Sequence, residues 1–499
     1  MSAVVLVPYD QLSRTHGALR DARPDTHEIL MVESESMLRS RTWHAQRLFL
    51  LLSAAAHVRA DLESEGFTVH HLRGETTVDA INRFRSTHRP DSITSAEPGS
   101  HAQYAAWQGA GVEFVPNDLF LTSRADFAAW AAEQSGLRMD AFYRWQRRRL
   151  AILMDDDRPV GGRWSFDADN RLPPPKGAHA WPAVLAHEPD AIDEATWADI
   201  EQRGLPVSGA APNGTWATTR TGALRQLHHF VEHALADFGP YEDAMPADTW
   251  AANHSLLSPY LNLGLIHPRE VVDAVLTRYA DGGVPLASCE GFIRQVIGWR
   301  EYVNGLYWHF GDDYRHENAL GATRQMPAAL TEPGTTSMAC VGSIVEDIDQ
   351  RGWVHHIPRL MVLANLALIA GIAPSAFLAW MRRVFVDAAD WVMVPNVIGM
   401  GVHADGGRMM TKPYAAGGAY ISRMGRHCGS CAFDPRRRTG EDACPFTTLY
   451  WDFLDRNRAQ FEGNPRMAQQ VRGLDRLSDL PEVRARAVEV LRRLDAGTL

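Results

Sequence analysis

The sequence predicts an N-terminal α/β domain built on a parallel sheet, followed by an all-α domain. Three observations predict it. Residues 1–120 alternate short apolar runs with amphipathic stretches, the pattern of a parallel sheet with helices on both faces. From about residue 216 onward the patterns are helical throughout, broken by Gly and Pro turns. The chain has 499 residues, more than one ordinary core holds, which suggests two or three domains.

The predicted strands are Val4–Val7, Ile29–Val32, Thr68–His71, Ser92–Thr94 and Glu113–Val115, with helices over Trp43–Ser64 and Thr77–Thr87 between them. Ligands of such sheets sit at the carboxyl ends of the strands. Here those ends carry Asp10, Gln11 and Glu33, and no Gly-x-Gly-x-x-Gly follows the first strand. The expected division is an α/β domain over 1–134, a connector over 135–215 and a helical domain over 216–499. The connector reads as irregular because Pro, Gly and Trp are scattered through Gly161-Gly-Arg-Trp-Ser-Phe-Asp-Ala-Asp-Asn-Arg-Leu-Pro-Pro-Pro-Lys-Gly177. It opens on a basic helix, Arg144-Trp-Gln-Arg-Arg-Arg-Leu150.

Composition is that of a globular protein, 45% hydrophobic and 22% charged. The formal net charge of -10 means that any nucleic-acid site is a local patch and not a global field. The apolar run Leu360–Ile372 is too short to span a membrane. The N-terminus lacks the basic start and long apolar run of a signal peptide. A cytoplasmic monomer without membrane contact is expected.

Cys340, Cys428, Cys431 and Cys444 remain once Cys289 is placed inside a helical pattern. Cys428-Gly-Ser-Cys431 is a close pair, and Pro445 follows Cys444. Four thiolates can close a tetrahedral zinc site or hold a [4Fe–4S] cluster, and spacing leaves both open. The Cys-Pro end leans toward iron–sulfur.

Several motifs then point to one family. Gly291-Phe-Ile-Arg-Gln-Val-Ile-Gly-Trp-Arg-Glu-Tyr302 resembles the flavin-pocket helix of photolyases, and Asn253-His-Ser-Leu-Leu-Ser-Pro-Tyr-Leu261 their phosphate-contacting turn. His355-His356, Pro395-Asn-Val-Ile-Gly-Met400, Ala404-Asp-Gly-Gly407, Thr411-Lys-Pro-Tyr-Ala415 and Leu449-Tyr-Trp-Asp-Phe453 extend the likeness along the chain. With the cysteine pattern, the sequence resembles the prokaryotic iron–sulfur branch of the photolyase/cryptochrome family, known for repair of (6-4) photoproducts. The resemblance implies FAD in the helical domain, a [4Fe–4S] cluster on the four cysteines and UV-damaged DNA as partner.

It also assigns residues. His254, Ser255, Leu257 and Ser258 fit a turn opening a helix, where backbone N–H groups and hydroxyls hold phosphate oxygens. Arg294, Gln295, Trp299 and Arg300 share one helix at spacings that let several face one pocket. Arg359, Asp387 and Asn396 match flavin-ring and ribityl contacts. His356 matches the lesion-side proton donor with His355 beside it, Tyr414 and Tyr420 match tyrosines of the lesion pocket, and Trp380 matches the flavin-proximal electron carrier.

The sequence departs from the family at six places. Glu332 stands where a second tryptophan is common, and Met381 where a tyrosine can follow Trp380. Met393 replaces a glutamate near the flavin N5. The branch often binds a lumazine antenna, 6,7-dimethyl-8-ribityllumazine, in its first domain. Asp10, Gln11 and Leu12 of that site are kept, but Tyr9 replaces a glycine, Met37 an acidic residue and Trp43 a histidine, so Tyr9 is expected to fill space a ring would occupy. DNA contacts are expected from Arg144, Arg147, Arg148, Arg149, Lys176 and Arg436 to Arg438. The rival readings are a cryptochrome-like light sensor that binds FAD without repair, and a zinc-stabilised DNA-binding protein without flavin.

Overall fold

The computed structural model describes residues 3–499. Five parallel strands, β1 (Ala3–Leu6), β2 (His27–Ser34), β3 (Val69–Gly74), β4 (Ser92–Ala96) and β5 (Glu113–Val115), form one sheet. Their spatial order is β3-β2-β1-β4-β5. Side chains on β1 alternate between two cores, as the period of two requires. Val4 and Leu6 join Leu30, Ile93 and the helix residues Ile81, Phe84 and Trp107. Val5 and Val7 turn the other way, into the main core that continues into the helical part. The sheet is therefore covered on both faces, as parallel sheets are.

The second predicted helix spans Thr77–His88 as expected, but the first starts at Ala45. The His44 side chain accepts from the Gln46 backbone N–H and caps it there. Trp43 and His44 instead form a two-residue strand, parallel to Val207–Ser208. The stretch 135–215 is more ordered than its composition suggested. It holds two 12-residue helices, Met139–Leu150 and Ala191–Gln202. The second has a capping box at Asp190 and Asp193 and packs on the Ala45–Ser64 helix, with His57 Nε2 3.3 Å from Asp193.

From Arg220 onward the elements are helical. Three of them contain π-helical turns, at Arg294–Arg300, Pro358–Ala364 and Asn396–Gly401. The last long helix, Leu480–Asp495, packs on Pro445–Arg456. Among the described residues no helix is long and apolar enough to cross a membrane.

Candidate functional site

A cavity of about 1580 Å³ opens in the helical part. That exceeds the ~300–1,000 Å³ of an ordinary small-molecule site. All three π-helical turns face it: Arg294, Gln295, Trp299 and Arg300 from the first, Arg359 from the second, Asn396 from the third. A π turn widens the helix and turns side chains that regular α spacing would point elsewhere, and such turns concentrate at functional sites. His254, Ser255, Leu257, Ser258 and Asp387 complete the set, so every residue expected at the cofactor lines this one cavity. His355, His356, Tyr414 and Tyr420 line it as well. Trp380 does not; it is buried one ring behind the wall, stacked on the lining residue Phe377 at 5.8 Å.

The turn that carries His254 is strained. Ala252 and Leu256 are held at φ 44° and 58°, left-handed values that non-glycine residues rarely adopt. Gln226 fixes it by donating to the Ser255 carbonyl at 3.0 Å. His254 stacks on His355 with ring centroids 4.0 Å apart. His254 Nε2 and His355 Nδ1 are buried without a partner. Burial, with His356 nearby, lowers the pKa of His254 to about 3, and burial with its histidine neighbours and Arg359 takes His355 well below the usual range. Two neutral rings with free nitrogens thus stand in the cavity wall, and buried polar atoms of that kind call for a ligand or water.

Opposite charges organise the rest. Arg359 grips Asp387 with two hydrogen bonds, at 2.8 and 3.1 Å, while its Nε donates to the Val354 carbonyl. Ser258 donates to the same carboxylate at 2.7 Å and accepts the Trp353 indole N–H at 3.4 Å. Arg300 lies over Phe120 and Trp391 and pairs with Glu301 at 2.9 Å, its Nε unpartnered. Arg294 is the most heavily compensated, with Asp167 at 3.1 Å, Glu242 at 3.3 Å and Glu290 at 3.6 Å. Burial raises Glu242 to about 8 despite Arg294, so its carboxyl is mostly protonated at neutral pH. Glu242 and Trp353 both line the cavity, and Glu242 was not singled out from sequence, since it looks like an ordinary core position.

His356 stands apart from its neighbour. Its ring is exposed to the open cavity, yet the surrounding enclosure, aided by Arg359, lowers its pKa to about 4. Tyr420, half-buried beside Arg423, is pushed up to about 12 by burial, and Tyr414 is raised for the same reason. Both phenols stay protonated at any working pH.

Comparison with known proteins places this arrangement. Residues 5–216 match the family described as Deoxyribodipyrimidine photo-lyase-related protein. The chain is 39% identical to a protein of Agrobacterium fabrum (strain C58) named (6-4) photolyase, covering 99% of this chain and 100% of that one. The chain belongs to the photolyase/cryptochrome family. A more distant likeness is to Cryptochrome-2 of Gallus gallus, 26% identical over 34% of this chain and 29% of that protein. The crystal structure of a bacterial class III photolyase from Agrobacterium tumefaciens superposes with a TM-score of 0.55 over 99% of this chain and 98% of that one. At 17% identity that match speaks for the fold: a parallel-sheet α/β region and a helical remainder, as in the photolyase/cryptochrome fold.

The four cysteines of this family member meet in a second, small pocket. Cys340 opens the helix Ala339–Arg351, Cys444 precedes the helix Pro445–Arg456, and Cys428 and Cys431 flank a tight turn. Helix N-termini favour thiolates, but burial opposes them and pushes Cys444 up to about 11. Cys340 and Cys444 are buried and Cys428 and Cys431 partly so, and ionising four thiols this close together calls for a cationic centre. Among the described residues no three of these sulfurs lie within 4.8 Å of one another. Zinc, about 2.3 Å from each sulfur, would need them about 3.8 Å apart. Gly418 belongs to the wall of the pocket: a Cβ there would come 2.8 Å from Cys444 Sγ.

The basic residues divide differently from the sequence expectation. Arg147 is fully buried and donates to the Ile152, Leu153 and Trp164 carbonyls, so it is structural and does not reach DNA. Arg149 is tied to the Leu121 carbonyl, and Arg437 and Arg438 to Asp442 and Asp479. Arg144 and Arg148 cluster on Trp164, Lys176 is exposed, and Arg436 is 87% exposed. Arg138, Arg163, Arg423 and Lys412 join Arg144 in lining the cavity, cations the sequence did not single out because they are far apart in the chain.

Proposed function

We propose that this protein is a DNA photolyase that repairs (6-4) pyrimidine–pyrimidone photoproducts in UV-damaged DNA, with FAD in the large cavity. One observation carries the reading. The turn, the three π-helical segments, the adjacent histidines and the two tyrosines come from distant parts of the chain and converge on one open cavity bordered by arginines. A solvent-open, cation-lined mouth suits a flipped dinucleotide and its phosphates.

The residues present fit a flavin. The unpartnered nitrogens of His254, His355 and Arg300 await acceptors or donors, and the volume suits a dinucleotide. His254, Ser255, Leu257 and Ser258 would hold the diphosphate side; Arg294, Gln295, Trp299, Arg300, Arg359, Asp387 and Asn396 would hold the rest. Bound and reduced, FAD supplies a light-driven electron to the lesion and recovers it after bond rearrangement. The protein does the remainder. Arg359 and Asp387 form a fixed ion pair that keeps one wall rigid. Tyr414 and Tyr420 present flat, protonated phenols to the two linked bases of the lesion. His356 gives a proton to the lesion and takes it back, and needs a nearby anion to carry that proton at neutral pH. Met393 lines the cavity where the family resemblance expects a carboxylate, so no acid from that position titrates beside the ring.

The cysteine pocket fits a [4Fe–4S] cluster better than zinc, on the sulfur spacing above. Held by Cys340, Cys428, Cys431 and Cys444, it would tie three segments of the helical part together, and its binding energy would be folding energy.

A lumazine antenna does not fit. The Tyr9 hydroxyl lies 3.1 Å from His71 Nε2, and His71, Arg73 and Arg203 converge on Glu33 at 3.0, 3.3 and 2.6 Å. Trp43 is buried, its N–H donating to the Leu38 carbonyl at 2.9 Å between the guanidinium groups of Arg41 and Arg47. Tyr9, Met37 and Trp43 are packed into one small apolar cluster. Trp43 is core in this chain, with Tyr9 and Met37 packed against it where the lumazine ring would lie.

The test is purified, reduced protein mixed with oligonucleotides carrying either lesion, in light and in darkness. Loss of the (6-4) product in light only is expected; a yellow-brown preparation that repairs neither lesion overturns the reading.

A further inference from the structure

We propose that Trp353 and Trp250 form the path by which electrons enter the cavity to re-reduce the flavin under light, in place of a path running outward from Trp380. The proposal rests on the flavin reading above.

Trp380 is poorly placed to pass charge outward. Among the described residues its ring partners are Phe377 at 5.8 Å and Phe385 at 6.3 Å. A phenyl ring is far harder to oxidise than an indole, so an electron vacancy on Trp380 has no downhill neighbour. Glu332, at the aromatic position of the family, caps a short helix and offers only a carboxylate.

Trp353 is better connected. It lines the cavity, and its N–H reaches Ser258, which donates to Asp387. That carboxylate is paired with Arg359, whose guanidinium lies 5.8 Å from the Trp353 ring, so the two charges offset each other beside the indole. Outside it lies Trp250, with ring centroids 5.7 Å apart and planes at 79°, and Trp250 is partly exposed. One ring-to-ring hop therefore joins the cavity to solvent. The guanidinium of Arg351 sits 5.0 Å from the Trp250 ring, paired with Asp347 at 2.9 Å. The Asp347 carboxylate offsets its charge, so the pair adds little net charge beside the ring.

A second aromatic series leaves the cavity, Trp299–Tyr302–Trp130–Trp145, with spacings of 6.2, 6.3 and 6.3 Å. It must pass Tyr302. A tyrosine gives up an electron readily only when its proton can leave, and the buried Tyr302 hydroxyl has no partner. That series stalls at its second member.

The step balances simply. Trp353 gives one electron to the light-excited oxidised flavin, Trp250 refills Trp353, and a thiol in solution refills Trp250. The thiol proton goes to water, and two thiyl products join as a disulfide. No bond of the protein forms or breaks.

The experiment follows flavin absorbance in the full-length, flavin-loaded protein under blue light with a thiol reductant. Trp250→Phe and Trp353→Phe are each expected to slow photoreduction by about tenfold or more, while Trp145→Phe leaves it unchanged. Flash absorption of the wild-type protein should show an indole radical, and that signal should lose its long-lived component in Trp250→Phe. Flavin content, measured on each sample, separates a folding defect from a lost path. Wild-type rates in Trp250→Phe with full flavin content, or a rate abolished by Trp380→Phe alone, overturn the proposal. Protein that binds no flavin overturns the functional reading beneath it and is recognised by its lack of flavin bands.

Discussion

Lesion DNA should bind with uptake of a proton, and His356 should be the group that takes it. Free His356 has a pKa lowered to about 4 by its enclosure and by Arg359. At pH 7 only about one ring in a thousand is then protonated. A phosphodiester placed ~4 Å from the ring contributes about 4 kcal/mol at an effective dielectric of 20, close to the free energy of three decades in protonation. Because the ring is open to the cavity, water screens part of this, and the figure is an upper bound. The sign follows directly. The free form is deprotonated above about pH 4 and the bound form stays protonated toward neutrality, so affinity falls as pH rises from 5 toward 7 and flattens above. Calorimetry in buffers of different ionisation enthalpy reads the proton count. Uptake approaching one proton is expected near pH 5.5, roughly half near pH 7, and none in His356→Ala. Flavin is loaded in every sample, so the neutral His254 and His355 behind it cancel. Equal uptake in His356→Ala, or none in the wild type, would refute the reasoning.

Three further outcomes follow from the same geometry. Asp387→Asn leaves the largely enclosed Arg359 guanidinium without its carboxylate, a loss of at most about 3–5 kcal/mol; with unfolding entropy of ~2.1 cal/mol/K per residue, calorimetric Tm should drop by up to about 3–5 °C and flavin should be retained poorly. Gly418→Ala drives a methyl against Cys444 Sγ, so iron and acid-labile sulfide should fall well below the wild-type content, whereas Gly429→Ala, with open space around it, should keep both. Arg144→Ala should weaken lesion binding and lower its salt slope by about one, while Arg147→Ala, which removes a buried donor to three carbonyls, should lower Tm instead.

Much of this molecule was legible in the chain. The five strands announce themselves because a two-sided parallel sheet demands short, continuous apolar runs closed by turn residues. The cysteines and the motif residues were legible because chemistry fixes residue type. What escaped has physical reasons. Consecutive arginines on a helix are rotated ~100° apart, so one of Arg147, Arg148 and Arg149 had to point inward, and nothing in the run says that it is Arg147. The π-helical turns share the composition of ordinary helix, yet they turn Arg294, Arg359 and Asn396 into the cavity. Tyr9 was expected to block the strand ends; that Met37 and Trp43 pack with it as core depends on Ile200 and Leu205, supplied from the connector. Trp353 and Trp250 are distant in sequence, and their pairing exists only in the fold.

The most direct test of the account is single-turnover repair of a (6-4) oligonucleotide by the reduced, flavin-loaded protein, counted after each light flash. The account predicts loss of the (6-4) product with each flash, none in darkness, and a fall of about 10²–10⁴ in His356→Ala, the range of a lost general acid. Undiminished repair by His356→Ala, or no repair by the wild type in light, would contradict it.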